Sequence, residues 1–552
     1  MATKIKTLPK VIGGLVLFGL LFGGFKLLIN KGVIPSSADQ VATGTGTVFG
    51  GSASTADSSS PLGSASNPLK IGINSFHGWG PGLVANGSSL TTKPGSIYAN
   101  KGVNVEFVIQ DTYPDLTTIL TAKTAHCSWR TSDSWAQEQP NLRNNGLDAK
   151  GIMIADNTRG ADAIVARDPN IKSVEDLAGR KVSLLKGTPS HGLFIYALNS
   201  SSLSGRKKAS IDLVLANPDE GTGGILAALN AGHVDAAVFW DPDLTLALKA
   251  GAHVVYSTKD ATNLIFDMIV CDTKLVSNPA NESAFQNFVA GWMEGVDQVN
   301  ADKNLAVDAI VNTMDFYKQF AHDHGRPTVL GLYNNLLLTN LAENVRILGL
   351  AEGGTTNHYG RVYADFDGIY RGLGTLANPH SPVVDQTESF DYRFIRNLMA
   401  AQPSAKAAAL RPQASFSAAE ARQADNRTAM VTKPVTVNFA TNEATLSAKA
   451  RDTLDHQVAP MIETYSDSYF EISGNTDSTG SVATNQRVSL ARAQAVVDYL
   501  VAQWEFPKER FIVKGNGSSF PLCDEKAPGN EGLSIDDCRA ANRTTRVAVK
   551  AN

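Results

Sequence analysis

Two groups of residues in this 552-residue chain have types and spacings that could do chemistry. The first lies near the C-terminus. Asp477 sits in a turn bounded by Gly and Asn, while Asn485 and Arg492 are seven residues apart on a helical pattern and so share a face. A carboxylate beside a guanidinium can hold a ligand that carries both an ammonium and a carboxylate, with Arg gripping the latter through two hydrogen bonds. The plainer alternative is that Asp477 pairs with Arg492 merely to staple the turn to the helix. The second group lies in loops that follow short apolar runs. One holds Phe76, His77 and Trp79 among glycines, a second Gly187, Thr188, Ser190 and His191, a third Trp240 and Asp241. In the second loop, free backbone N–H groups at a helix start and two hydroxyls make a cradle for a small anion. A bare strand-to-helix turn would look the same. Trp240 could stack on or wall off a planar ligand.

The elements that must position these loops alternate in type. LKIGI (69–73), VNVEFVI (103–109), GIMIA (151–155), DAIVA (162–166), KVSLL (181–185), IDLVL (211–215), AAVFW (236–240) and HVVYS (253–257) read as strands, with helical patterns between several of them. This is an α/β block with mostly parallel sheets, and its length suits two lobes with a cleft. Ligands in such folds sit beyond the carboxyl ends of strands. In the C-terminal block, strands near 435, 469, 510 and 545 alternate with helices near 447 and 484–504, as in a small α+β sandwich.

Composition excludes several classes. Hydrophobic residues make up 43%, enough for sizeable cores, and the net charge of −4 gives no electrostatic footprint for nucleic acid. Cys127, Cys271, Cys523 and Cys538 are too scattered for a cysteine-built metal site. Cys127 and Cys271 could pair, but their spacing says nothing about proximity. His77 and His191 invite a catalytic role, yet no Ser/His/Asp or two-carboxylate arrangement assembles around either. The expectation is therefore a protein with no catalytic residue, no metal and no cofactor.

Lys4, Lys6 and Lys10 precede a run from Val11 to Ile29 that only Lys26 interrupts. At about 1.5 Å per residue it spans roughly 28 Å, close to a bilayer's hydrocarbon core. No Lys or Arg follows Lys31 until Lys70, which puts the bulk of the chain outside the cytoplasm. A cleaved signal peptide, with Ser36-Ser37-Ala38 as its site, is the competing reading. The expected order is an N-terminal membrane anchor (1–31), a flexible Gly/Ser tether (32–67), an α/β domain (68–400), an Ala-rich linker (401–432) with a helical stretch around Ser417 to Ala421, and the C-terminal block (433–552).

Family resemblances fit both blocks. INSFHGWGPG (73–82), DNTRGADAIVARDPNIKSVEDLAGRKVSLLKGTPSHGLFIYAL (156–198) and GILAALNAGHVDAAVFWDPDL (224–244) together resemble the nitrate/sulfonate/taurine branch of periplasmic solute-binding proteins. That resemblance implies a two-lobed, type II-like periplasmic-binding fold closing over one small molecule. It puts cleft positions on Phe76, His77, Trp79, Ser132, Asp133, Asn157, Thr158, Gly187, Thr188, Ser190, His191, Trp240 and Asp241. The cysteine-cluster motif of the family's synthase relatives is absent. GSSLTTKPGSIYANKG (87–102) and the Trp-rich AHCSWRTSDSW (125–135) depart from the family pattern, and two to four Trp near one cleft favour a planar or zwitterionic organic ligand over a bare inorganic ion.

GNTDSTG, NQRVSLARAQAVVDYL and NRTTRVAV resemble the OmpA-like peptidoglycan-binding domain over nearly all of 433–552. This implies a diaminopimelate site at Asp477 and Arg492, supported by Asn485 with Arg543 nearby, and Thr544 stands where the family usually has a second basic residue. Some members carry a disulfide where Cys523 and Cys538 lie. The combined reading is a non-enzymatic, single-pass inner-membrane protein facing the periplasm. It would bind a small organic solute and peptidoglycan, for uptake through an ABC permease or for sensing by a membrane partner. A stator-like or structural wall anchor with a vestigial binding domain is the alternative.

Overall fold

The computed structural model describes residues 60–216, 222–351, 356–376, 378, 380–410, 414–437, 439 and 443–550. The expected anchor (1–31) and most of the Gly/Ser tether lie outside the described residues. Among the described residues, no helix is long and apolar enough to cross a membrane.

Eleven strands build the α/β part: β1 (Leu69–Ile73), β2 (Val105–Ile109), β3 (Cys127–Thr131), β4 (Ala149–Thr158), β5 (Asp162–Ala166), β6 (Lys181–Leu184), β7 (Asp212–Leu215), β8 (Ala236–Trp240), β9 (His253–Ser257), β10 (Phe266–Asp272) and β11 (Leu336–Leu338). They form two sheets, ordered β11-β4-β10-β3-β1-β2 and β7-β6-β8-β5-β9. The chain crosses between the two lobes twice, from β4 to β5 and from β9 to β10. The first crossing turns at Gly160, whose φ of +115° suits a residue without a Cβ, and its N–H donates to Thr258 Oγ1 of the second at 3.0 Å. The two-lobed architecture therefore matches the expectation.

The expectation of mostly parallel sheets does not hold. β1 pairs in parallel with β2 and β3, and β6 with β7 and β8, but the pairs β3–β10, β10–β4, β4–β11, β5–β8 and β5–β9 are antiparallel. The reason is the double crossing. A strand that returns from the other lobe enters the sheet from the opposite end, so β10 and β5 run against their neighbours. Central strands β3, β5 and β10 are buried along their whole length, as a sheet covered on both faces requires. Cys127 and Cys271 stand opposite each other on β3 and β10 and are joined as a disulfide, 144 residues apart in sequence.

The C-terminal domain is a four-stranded sheet, ordered β12-β15-β13-β14, with β12 (Ala429–Val435), β13 (Tyr469–Gly474), β14 (Phe511–Gly515) and β15 (Thr545–Lys550). The helix Val482–Trp504 packs on it, capped by Ser481 Oγ, which accepts from Thr484 N at 3.1 Å. Its close seat needs Gly474 and Gly515, since a Cβ on Gly474 would stand 2.1 Å from Ser489 O. The segment read as a second linker is instead built into the fold. Helices Pro403–Ala409 and Ala418–Asp425 occupy it, Ala421 and Ala424 are buried, and β12 starts inside it.

The two domains pack on each other. Asn263 N and Nδ2 donate to the carbonyls of Thr464 and Glu463 at 2.9 and 3.0 Å, and Arg159 pairs with Asp467 at 3.1 Å, so the turn 464–467 touches both crossings. The hydroxyls of Tyr256 and Tyr465 meet at 2.6 Å, and Arg361 from the helix His358–Leu373 binds Pro460 O at 2.7 Å and Glu463 at 3.2 Å.

Candidate functional site

Between the lobes lies a cavity of about 540 Å³, within the usual range for small organic ligands. Both lobes and the crossings contribute walls: Phe76, Tyr113 and Trp129 from one side, Gly187, Thr188 and Trp240 from the other, and Thr158 and Asp267 at the back. Aromatic faces surround it. Tyr113 and Trp129 lie with ring centres 5.1 Å apart, and Trp240 stands beside Asp162, its cross-strand partner on β5.

Of the sequence-predicted positions, Phe76, Thr158, Gly187, Thr188 and Trp240 line this cavity. The others stand behind it or in the core. Trp79 is fully buried, its Nε1 donating to Asn74 Oδ1 at 2.9 Å, so it packs the wall rather than facing the cavity. His77 is buried against Tyr317 and Tyr333, and burial drives its pKa down to about 3, which keeps it neutral. His191 is likewise lowered to about 4 by burial and by Lys186, and its Nδ1 accepts from Gly187 N at 3.4 Å. Ser132 Oγ accepts from Phe266 N at 3.0 Å. Thr188 Oγ1 donates to Leu185 O at 2.7 Å, so its hydroxyl closes the loop. Asp241 accepts from Thr245 N at 3.0 Å and Asn335 Nδ2 at 2.7 Å, a structural role. Asn157 and Ser190 are buried with side-chain polar atoms that meet no partner.

Sequence reasoning missed the carboxyls. Asp162 and Asp267 line the cavity at 2% and 3% exposure. Trp129 Nε1 donates to Asp267 Oδ1 at 2.5 Å. Behind it, Asp156 is the cross-strand partner of Asp267 on β4 and packs on Gly78, where a Cβ would stand 2.2 Å from Asp156 Oδ2. Two such carboxyls cannot both ionise in a dry site. Burial and then Asp267 push Asp156 well up, so it keeps its proton, while burial raises Asp267 to about 6. Asp162 is pushed well up by burial and then by Asp267, and the nearby Thr158 hydroxyl, which lacks hydrogen-bond geometry to it, only partly offsets this. Asp133 packs behind the cavity against Gly192, with burial raising it to about 7. The legible signal was an Asp inside an otherwise apolar strand, as in FDMIVCD and DAIVA.

The second site is on the C-terminal domain. Asp477 Oδ2 accepts from Arg543 Nη1 at 2.5 Å, and Oδ1 accepts from Thr479 N at 3.0 Å. Burial opposes its charge, but Thr479 and Arg543 outweigh that and hold Asp477 below the usual carboxylate range. Asn485 Nδ2 fastens the same turn, donating to Thr479 O at 3.0 Å. Arg492 does not staple the turn. Its Nε donates to Glu443 O at 3.0 Å and its guanidinium lies 5.1 Å over the Phe439 ring. Cys523 and Cys538 form a disulfide. Its loop carries Glu525, missed in the sequence, which accepts from Ser478 N at 3.0 Å and so props the Asp477 turn.

Comparison with known proteins agrees with this division. Residues 438–532 match the OmpA family. Outer membrane protein A of Atlantibacter hermannii is 34% identical over 119 residues, 21% of this chain and 47% of that protein. A putative aliphatic sulfonates-binding protein of Escherichia coli is 38% identical over 101 residues, 18% of this chain and 29% of that protein. The chain thus spans about half the length, or less, of the curated relatives it matches. Among solved structures, the periplasmic aliphatic sulphonate binding protein SsuA from Escherichia coli aligns at TM-score 0.45 and 17% identity over 60% of this chain and 99% of that one. The chain therefore joins a two-lobed α/β domain to a C-terminal OmpA-family domain.

Proposed function

We propose that this protein captures a small organic solute between its lobes and holds peptidoglycan with its C-terminal domain. It would be fixed in the inner membrane by its N-terminal apolar run and act in the periplasm, either delivering solute to an ABC permease or reporting it to a membrane partner. The observation that carries the reading is the cavity between the lobes, walled from both sides and from the crossings that would have to flex as the lobes open. The named sulfonate-binding relative supports a solute of that size class. The Asp477–Arg543 pair, with Arg492 on the neighbouring helix, supports recognition of a diaminopimelate stem peptide, whose ammonium and carboxylate want opposite charges close together.

The second reading is a wall-anchored scaffold. Contacts of the turn 464–467 with both crossings, and of Arg361 and Tyr465 with the two sides, favour a clamshell braced in one state. Thermal-shift measurements on the full chain with organic cations, sulfonates, nitrate and amino acids separate the readings. Stabilisation by at least one class supports capture, and none supports the scaffold. Sedimentation with purified sacculi tests the wall site, and failure to co-sediment would refute it.

A further inference from the structure

The cavity's charge is at odds with an anionic solute. Acidic side chains on its wall are Asp111, Glu138, Asp162 and Asp267, whereas Lys186 is the one cationic side chain among the described wall residues. Glu138 is neutralised by fully buried Arg130 through bonds of 2.5 and 2.7 Å, which also uses up that guanidinium. Asp111 Oδ1 accepts from Ser75 N at 2.6 Å. Asp162 and Asp267 have no guanidinium or ammonium against them among the described residues, and buried carboxyls are costly unless paired. Thr158 Oγ1, 2% exposed and without a partner, opens on the same space. The start of the helix Pro189–Asn199, where an anion would be cradled, is backed by the chain's own Asp133. Its Oδ2 stands 2.0 Å from where a Cβ on Gly192 would be.

Resting on the solute-binding reading above, we propose that the solute is an organic cation. Its ammonium or amidinium group would sit between the Asp162 and Asp267 carboxylates, against the faces of Trp129, Trp240 and Tyr113. The chemistry is complementary in two ways. The carboxyls supply charge and hydrogen-bond acceptors, and the indole and phenol faces attract a cation through their quadrupoles. Trp129 serves both, since its N–H fixes Asp267 while its ring lines the cavity. Unliganded, burial holds Asp162 towards its protonated form. A bound cation favours the carboxylate there, so binding releases protons.

The test uses the full chain in detergent with choline, agmatine and benzamidine as cationic probes, and methanesulfonate, taurine and nitrate for comparison. Binding is read by Trp fluorescence and by thermal shift. At least one cation should bind, with Asp162→Asn weakening it about 100-fold and Trp240→Ala about tenfold. Asp162→Asn should itself melt no lower than the parent at pH 8, since it removes a buried unpaired acid, so lost binding would not be lost folding. Binding of a sulfonate or nitrate but no cation would overturn this inference and leave solute capture standing. Binding of neither class would overturn both.

Discussion

The two sites use the same functional group in opposite ways. At the C-terminal site, Asp477 is hydrogen-bonded by Thr479 and paired with a half-exposed Arg543, so it stays ionised at all but acid pH. In the inter-lobe cavity, Asp162 and Asp267 are buried with no cation against them among the described residues, and burial raises both. The difference teaches what each site lacks. The paired carboxylate already has its charge balanced and can exchange partners with a zwitterion at little cost, whereas the unpaired carboxyls pay for burial until something cationic arrives.

Changes that break this contrast should differ in size. The largest effect is expected from removing the disulfide that pins β3 to β10, because Trp129 and Asp267 sit on those strands. Cys127→Ser with Cys271→Ser should cost about 5 kcal/mol in the loop-entropy account, read as a lower Tm by calorimetry. Asp477→Ala should come next. It strands Arg543 and should lower affinity for sacculi about 100-fold, measured by co-sedimentation, while leaving the solute cavity untouched.

The third test turns on pH. The folded-state pKa of Asp133 is raised to about 7 against an ordinary 3.8, so the native state holds its proton more tightly and stability falls as pH rises through that window. Asp133→Asn should therefore match the parent near pH 4 and exceed it at pH 8, with the gap growing by at most about 1.4 kcal/mol per pH unit crossed. A constant gap across pH in calorimetric scans would show that Asp133 is not the group responsible. Smallest of all, Asp467→Asn removes the ion pair with Arg159 and should cost about 1 kcal/mol or less, seen as a slight loss of cooperativity between the two domains on melting.

Much of the fold was legible. LKIGI, DAIVA, AAVFW and HVVYS are strands at the predicted bounds, because each is a short apolar run with its own stops. β3 was not, since CSWRT carries Ser, Arg and Thr yet is wholly buried. Its polar groups are satisfied by side chains outside the strand, as Arg130 is by Glu138 on the following helix, and a strand pattern does not show that. The Ala-rich stretch 401–432 read as a linker because nothing local shows that Tyr469 Oη will accept from Ser417 N at 3.1 Å and hold its second helix. At the C-terminal site Asp477, Asn485 and Arg543 meet at one turn, and the ion pair is to Arg543 rather than to Arg492, which reaches Glu443 O. At the cavity, the loops were found and the carboxyls were not.

What the residues alone determined is local: where runs of apolar side chains must become strands, where glycines permit close approach, and which short motifs repeat a known domain. Tertiary structure decided the rest. It set strand direction through the double crossing, it joined Cys127 to Cys271 across 144 residues, and it buried Asp162 and Asp267 in the wall of the cavity. The physical reason is that a charge's worth depends on what surrounds it, and that environment is built by segments far apart in the chain.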